Sequence, residues 1–593
     1  MTTSDRTLQT PETPVDETAK RGLYQSFSAY AFREDRVFLA VSIFIGIISG
    51  LAVVCFRIAI EWSRLQLLGS GLIPSKGRML LAPVLVSFVV AVLVIWVFPA
   101  VRGSGVNQTK AALYIYNGYI PFRTAVGKFI TAALAIGAGH SLGPEDPSLQ
   151  IGAALASALG RSLRFSRERL RLIAPVGAAA GLAAAFNAPI SAVLFVIEEV
   201  IGRWSAGILG AVVLSAVSSV VVERGFLGAQ PLFRIPPVEL IRPEELIAYA
   251  VLGVVGGVAS LIFVKLIAFL RPRLKALPRW TQYLQPSIAG LIIGLIGVLG
   301  APQVMGAGYE YIDLALHDQF TWKVLGVLAG LKILSTTLSF VSGTPGGMFA
   351  PTLFIGAMLG GAVGGAERVL FPHLTGSVGT YALVGMGVLF AGFLRAPMTS
   401  VFMVLEVSGN YSIIVPVMIA NTLAYLISRS LQPVPIFDLL TRQDGLELPS
   451  LEEQREESIL RVEDAMKAPT VPVIDGELRV QEAMEILRNV KHDEGALVRH
   501  EPAGWSLFRW SDLEALSAKG KQNETLDESG MGIKLPQLYP DYNLDTALGY
   551  AQRSPVVPVV HRANSKELLG TVRLEDVLQA FQNQAEADME GGV

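Results

Sequence analysis

The chain has 593 residues, 51% of them hydrophobic and 17% charged, with a formal net charge of −2. Soluble domains carry about a quarter charged residues, so a wholly soluble protein is excluded, and a near-neutral charge gives nucleic acid no footing. Cys55 is the one cysteine, which excludes a disulfide framework or a cysteine metal cluster; a small buried apolar residue is its expected role.

Residues 1–35 are expected to form a polar N-terminal segment and the start of a first helix. The first 22 have no apolar core behind a basic start, so no cleaved signal peptide is expected. Apolar runs at 38–56, 79–98, 205–222, 246–264 and 411–428 approach or reach the roughly 20 residues of a spanning helix. Shorter or Gly/Pro-broken runs lie at 125–142, 149–160, 170–184, 189–201, 286–302, 321–340, 352–364, 380–394 and 397–407. They predict partial spans whose ends meet inside the protein, because broken backbone at membrane depth survives only where it is buried or lines a cavity.

Within that region, Gly103-Ser104-Gly105-Val106-Asn107 brings a hydroxyl and flexible backbone to an expected helix at 108–117. Further on comes Gly143-Pro144-Glu145-Asp146-Pro147-Ser148-Leu149-Gln150-Ile151-Gly152-Ala153. Here Gly ends one segment and Pro suits the first turn of the next helix. The unpaired N–H groups at that helix start carry partial positive charge and can hold an anion without a cationic side chain.

The phrase recurs as Gly347-Met348-Phe349-Ala350-Pro351-Thr352-Leu353-Phe354-Ile355-Gly356-Ala357, an offset of 204 residues (347 less 143). A second pair, Ala188-Pro189 to Glu198 against Ala396-Pro397 to Glu406, is offset by 208 (397 less 189). Paired Gly/Pro-interrupted segments in corresponding halves point to a transport site near the bilayer midplane. The expected membrane region is 36–442, with halves at about 36–225 and 244–430. Basic clusters at 164–171 and 271–275 face the cytoplasm by the positive-inside rule.

Composition changes near Pro433, and 443–458 reads as a charged linker. A soluble α/β domain is expected over 459–585, in two copies at about 459–520 and 533–585. Helical periodicity at 479–490 follows a short strand at 470–474, and the pattern returns around Leu544 and 555–560. Residues 586–593 are expected to be a disordered tail.

The chain resembles the CLC family of chloride transporters and channels. The resemblance rests on Gly103-Ser104-Gly105, on 143–147 running into Gln150-Ile151-Gly152, and on Gly347-Met348-Phe349-Ala350-Pro351. Pro189 to Glu199 and the final stretch 436–440 agree with it. It covers roughly 36–442, while 459–585 resembles the tandem CBS (cystathionine-β-synthase-type) pair that many relatives carry. The implied fold is an all-α polytopic membrane protein of two inverted repeats with broken helices, followed by an α/β CBS pair. The implied assembly is a homodimer in a lipid bilayer, with one pore per subunit. The implied activity is chloride transport, most simply proton-coupled exchange, in the cell (inner) membrane with the N-terminus and CBS pair cytoplasmic.

Carried onto this sequence, Ser104 with Gly105 would face the central anion, and the N–H groups of Met348 and Phe349 would contact it. N–H groups around Glu145 and Asp146 would form an outer site. Glu145 matches the gating glutamate, and an acid at membrane depth is costly and by default functional. Glu199 matches the internal proton-transfer glutamate, whereas Glu198, with its repeat mate Glu406, reads as structural.

Some positions depart from the usual pattern. Pro144 and Asp146 flank Glu145 where relatives often have Arg and Gly, and adjacent acids resist joint ionisation. An opening pH unlike that of such relatives is therefore expected. Phe437 replaces a tyrosine whose hydroxyl reaches the central anion, which leaves passive conduction as an alternative to exchange. Ser104 favours chloride over nitrate or fluoride. His140 is expected to be packed or hydrogen-bonded.

In the CBS pair, Asp512 and Asp576 stand where nucleotide-binding relatives hold ribose, but Arg509 and Arg573 occupy the hydroxyl positions. Adenine nucleotide is therefore not favoured, although an arginine can meet phosphate. No cofactor or metal is required. An intramembrane enzyme using Ser104 or Ser141 would need a second embedded base beyond His140, and none of the six histidines supplies it.

Overall fold

The computed structural model describes residues 17–71, 73–202, 206–229, 232, 233, 235, 243–371, 376–446, 460–488, 495–500, 504–562 and 564–590. Residues 1–16 of the polar N-terminal segment, most of the expected linker and the last three residues lie outside that set. The chain divides into two compact units, Met1–Arg455 and Glu456–Val593.

The first unit is helical. In chain order its helices are α1 Glu17–Leu67, α2 Lys76–Val92, α3 Gly105–Tyr114 and α4 Phe122–Gly137. Next come α5 Glu145–Ser162, α6 Arg167–Phe186, α7 Pro189–Phe195 and α8 Ala206–Leu227. The second half runs α9 Glu245–Lys275, α10 Gln285–Val298, α11 Tyr309–Leu316 and α12 Trp322–Val341. It ends with α13 Phe349–Leu370, α14 Val378–Leu394, α15 Pro397–Ser408 and α16 Ile414–Leu431, before a short α17, Ile436–Gln443.

Packing repeats between the halves. Where α5 lies on α6, and α1 on α8, α13 lies on α14 and α9 on α16. Three mates meet across the molecule: α2 with α10, α5 with α13 and α7 with α15. Equivalent elements that touch each other in this way imply a local two-fold relation between the halves.

Some expectations need correction. Segments 170–184, 321–340 and 352–364 are expected as partial spans, yet α6, α12 and α13 each hold an apolar window of spanning length. Their glycine content hid the helical continuity. The helix expected at 108–117 begins three residues earlier, because the Ser104 hydroxyl accepts the Val106 N–H at 3.2 Å and caps it. Cys55 is exposed on the outer face of α1 rather than buried. That face is otherwise apolar, with Leu51, Ile58 and Trp62 beside it, so a weakly polar thiol is at home there.

Two glycine pairs explain how closely the central helices approach. A Cβ on Gly152 would sit 2.2 Å from the Gly177 carbonyl oxygen, and one on Gly356 would sit 2.3 Å from the Gly385 carbonyl oxygen. Small residues at such crossings let membrane helices pack backbone to backbone.

The second unit has two sheets. Strand β1 Val473–Asp475 is parallel to β2 Ala496–Arg499, β2 is antiparallel to β3 Trp505–Phe508, and β3 to β4 Ile533–Leu535. Strands β5 Val557–His561 and β6 Asn564–Val572 form an antiparallel pair. Each copy is a helix–strand–strand–helix run: Val480–Leu487 to Trp510–Ala518, then Leu544–Ala551 to Leu574–Glu590. The copies are not cut cleanly at 520 and 533. Lys467 bridges to Thr571, and β4 belongs to the first sheet. Leu497, Trp505 and Leu507 of one copy share a core with Val556 and Val560 of the other. The tail expected to be disordered from 586 is helical to Glu590, as strong helix formers such as Ala, Gln and Glu favour.

Gly356→Ala is expected to lose about 3 kcal/mol or more through overpacking, seen as a lower melting temperature in detergent. Just past α17, Asp444 pairs with Arg271 at 2.8 Å and also with Lys275. Burial alone would raise its pKa, but hydrogen bonds from Lys275 and Arg271 outweigh that and hold it below 3.8. A depressed carboxylate stabilises the fold above its unfolded pKa and stops doing so as pH falls through the folded value. Asp444→Asn should therefore melt lower than wild type at pH 7, with the gap closing as pH drops below about 4.

Candidate ion-transport site

The two repeated phrases meet at their glycines. Gly143 N–H donates to the Gly347 carbonyl at 2.8 Å, and Gly347 N–H donates to the Gly143 carbonyl at 2.8 Å. A Cβ on Gly347 would lie 2.8 Å from the Asp146 Cβ, so only glycine fits there. The pair sets the starts of α5 and α13 side by side, and α3 packs on α5. The starts of α5 and α13 are thus adjacent, and the start of α3 meets the first turn of α5 through Asp146.

The first turn of α5 sends its two acids in different directions. Glu145 is fully buried. Its carboxylate accepts the Tyr309 hydroxyl and, at 3.3 Å, the Ala350 N–H in the first turn of α13. Asp146 turns to α3 instead. Its Oδ1 accepts the Ser104 hydroxyl at 2.8 Å and the Val106 N–H at 3.1 Å, and its Oδ2 accepts the Gly105 N–H at 2.9 Å. The two carboxylates therefore serve different partners, although their residues are adjacent in sequence.

Met348 is the residue that precedes α13, and its carbonyl accepts the Thr352 N–H at 3.0 Å. Phe349 lies in an aromatic cluster with Phe195 (5.0 Å between centroids), Phe390 (5.8 Å) and Phe437 (6.4 Å). Phe437 is thus a packed ring beside the α13 start. Asn107 holds it from α3 by donating to its carbonyl at 3.0 Å.

Glu199 lies in a π-helical turn, Val196–Ile201, that continues α7. The Lys110 ammonium binds its carboxylate at 2.5 Å and that of Asp438 at 3.2 Å, and all three residues are buried. A cavity of about 740 Å³ opens against Pro144 and Tyr309, lined also by Arg57, Arg64 and Glu310.

Residues 86–429 match the family described as voltage gated chloride channel. The chain belongs to that family. Two curated relatives are similar to it over most of their own length. A putative chloride channel protein, ClcB-like, of Ralstonia nicotianae is 30% identical over 69% of this chain and 99% of its own. An H(+)/Cl(-) exchange transporter, ClcA, of Salmonella arizonae is 32% identical over 68% of this chain and 87% of its own. The fold is also that of solved structures. A slow cyanobacterial Cl-/H+ antiporter matches with a TM-score of 0.63 at 24% identity, covering 71% of this chain and 99% of its own. A eukaryotic CLC transporter matches with 0.59 at 20% identity, covering 92% and 98%.

Several residues of this family member were not found from sequence. Lys128 donates to the carbonyls of Val101 (3.1 Å) and Gly103 (2.8 Å), and Lys332 to those of Val304 (3.0 Å) and Gly306 (2.8 Å). Each lysine ties down the loop before α3 or α11, and their spacing of 204 residues (332 less 128) repeats the glycine offset. That spacing was a usable signal, whereas Tyr309, Lys110 and Asp438 have no repeated partner to reveal them.

Glu198 and Glu406 behave as a structural pair. Glu198 accepts the Thr399 N–H at 2.9 Å and hydroxyl at 2.8 Å, while Glu406 accepts the Ser191 N–H at 2.7 Å and hydroxyl at 2.5 Å. His140 is fully buried, with Ser87 on one ring nitrogen and Ser339 on the other.

In the second unit, Asp512 accepts the Arg509 N–H and Asp576 the Arg573 N–H, each at 2.9 Å, capping their helices. Asp576 also binds Lys467 at 2.7 Å. Both carboxylates that would hold ribose are thus engaged within the fold.

Lys110→Met would leave two buried carboxylates facing each other, a loss of about 3–5 kcal/mol. A markedly lower melting temperature is expected, partly restored when Glu199→Gln is added; an unchanged melt would remove the lysine from this role.

Proposed function

We propose that this chain exchanges chloride for protons across a lipid bilayer, with Glu145 as the gate and Glu199 as the internal proton-transfer residue. The observation that carries the reading is the Glu145 carboxylate resting on the first-turn N–H of α13 at 3.3 Å. A side-chain anion there occupies what a free anion would take. Protonation removes the charge that holds Glu145 on this donor, and chloride replaces it. The central anion is bound by N–H groups of Met348 and Phe349 and by the Ser104 hydroxyl, with Gly105 giving backbone access, the N–H groups about Glu145 and Asp146 outside it, and the Phe437 ring closing the inner side.

Sidedness follows from the two basic clusters. Arg171 donates to the Leu113 carbonyl at the end of α3 (3.1 Å), and Arg271 to the Leu440 carbonyl of α17 (3.2 Å). Helices α3 and α17 touch each other through Lys110 and Asp438. Both clusters thus lie on the Glu199 side, which the positive-inside rule makes cytoplasmic. We take the C-terminal unit as a cytoplasmic CBS pair spanning about 459–585, the membrane as the cell (inner) membrane, and the assembly as a homodimer. The paired helix–strand–strand–helix runs support the CBS reading. A second reading, passive chloride conduction, is favoured by Phe437, which brings no hydroxyl to the inner side of the site.

Chloride efflux from proteoliposomes with simultaneous pH recording tests this. Wild type should move protons against chloride and shift its reversal potential in a proton gradient. Glu145→Gln should pass chloride without protons, and Glu199→Gln should lose proton movement. A purely Nernstian chloride potential in the wild type would leave the channel reading instead.

A further inference from the structure

We propose that Asp146 is a second tethered anion of the transport site: its carboxylate fills the first turn of α3, so a halide reaches Ser104 only by displacing it. This deepens the exchange reading and rests on it.

Three donors converge on this one side chain. The Ser104 hydroxyl and the Val106 N–H meet Oδ1 at 2.8 and 3.1 Å, and the Gly105 N–H meets Oδ2 at 2.9 Å. Asp146 is 2% exposed. These donors are those a small anion would use at that helix start. Consecutive residues of α5 therefore place one carboxylate on α13, through Glu145, and one on α3, through Asp146.

Two observations argue against a merely architectural role. Ser104 already caps α3 through Val106, so the helix has a cap without Asp146. The second half builds the equivalent α11–α13 junction with Gly308 and Ala350 in the places of Ser104 and Asp146 (offset 204). That junction carries no carboxylate of its own at the Asp146 position, and the acid that reaches it is Glu145 from the other half. Nor does Lys128 explain the acid as a counter-charge, because Lys332 makes the same carbonyl contacts in the half that lacks it.

Halide binding to the detergent-purified full chain, measured by calorimetry with chloride and bromide, tests the proposal. Asp146→Gly frees all three donors and should tighten binding by about tenfold or more, the worth of one to two charge-assisted hydrogen bonds. Asp146→Asn, which keeps the side-chain shape, should tighten it less, and it carries the test if the glycine variant does not fold. Adding Ser104→Ala should remove much of the gain in the Asp146 variants, because the freed hydroxyl is one of the three donors. Binding no tighter in the Asp146 variants, or a gain that Ser104→Ala leaves intact, overturns the proposal. Glu145→Gln separates the two readings. Tighter binding in that variant alone sinks the role of Asp146 and leaves the exchange reading standing, whereas tighter binding in neither sinks both.

Discussion

The reciprocal hydrogen bonds between Gly143 and Gly347 are the constraint on which the rest depends. Each closes at 2.8 Å between equivalent residues of the two halves, so they lie on the relation that makes the halves alike. Helices α5 and α13 begin immediately beyond them, and the partial charge of both starts is delivered to one buried place. No arginine or lysine is needed to attract an anion there. The buried lysines stand behind the loops instead, holding carbonyls in position for α3 and α11.

Charge is distributed asymmetrically on this symmetric frame. One half supplies Glu145 and Asp146, and the other supplies Phe349 and Ala350 at the same offset. The first-half acids reach donors on α13 and α3, so the frame is shared while the chemistry belongs to one side of it. Toward the basic clusters, Lys110 joins Glu199 to Asp438. That arrangement is one cation between two carboxylates, with an Asp438 oxygen that has no hydrogen-bond partner among the described residues.

Much of this was legible in the sequence because Gly and Pro punctuate backbone. The phrases at 143–153 and 347–357 marked helix starts, and their repetition marked two halves. Element ends were mostly found within a few residues. What stayed hidden was long-range and solitary. Nothing local distinguishes Lys110, since its partners lie 89 and 328 residues away. Tyr309 opens a short helix whose pattern is unremarkable, and its bond to Glu145 spans 164 residues. The divergence of Glu145 and Asp146 was equally invisible, because neighbours in sequence look like neighbours in space until helix geometry separates them. In the second unit the copies were visible as repeats, but the strand β4 and the Lys467 bridge cross between them, which only the fold could reveal.

The exchange of carboxylates between Glu198 and Glu406 has a consequence for biogenesis. Each acid satisfies the opening turn of a helix in the opposite half. When the ribosome has delivered the first half to the bilayer, the start of α7 still awaits an acceptor 215 residues further along the chain. The opening turn of α7 is therefore completed only when the second half is in place.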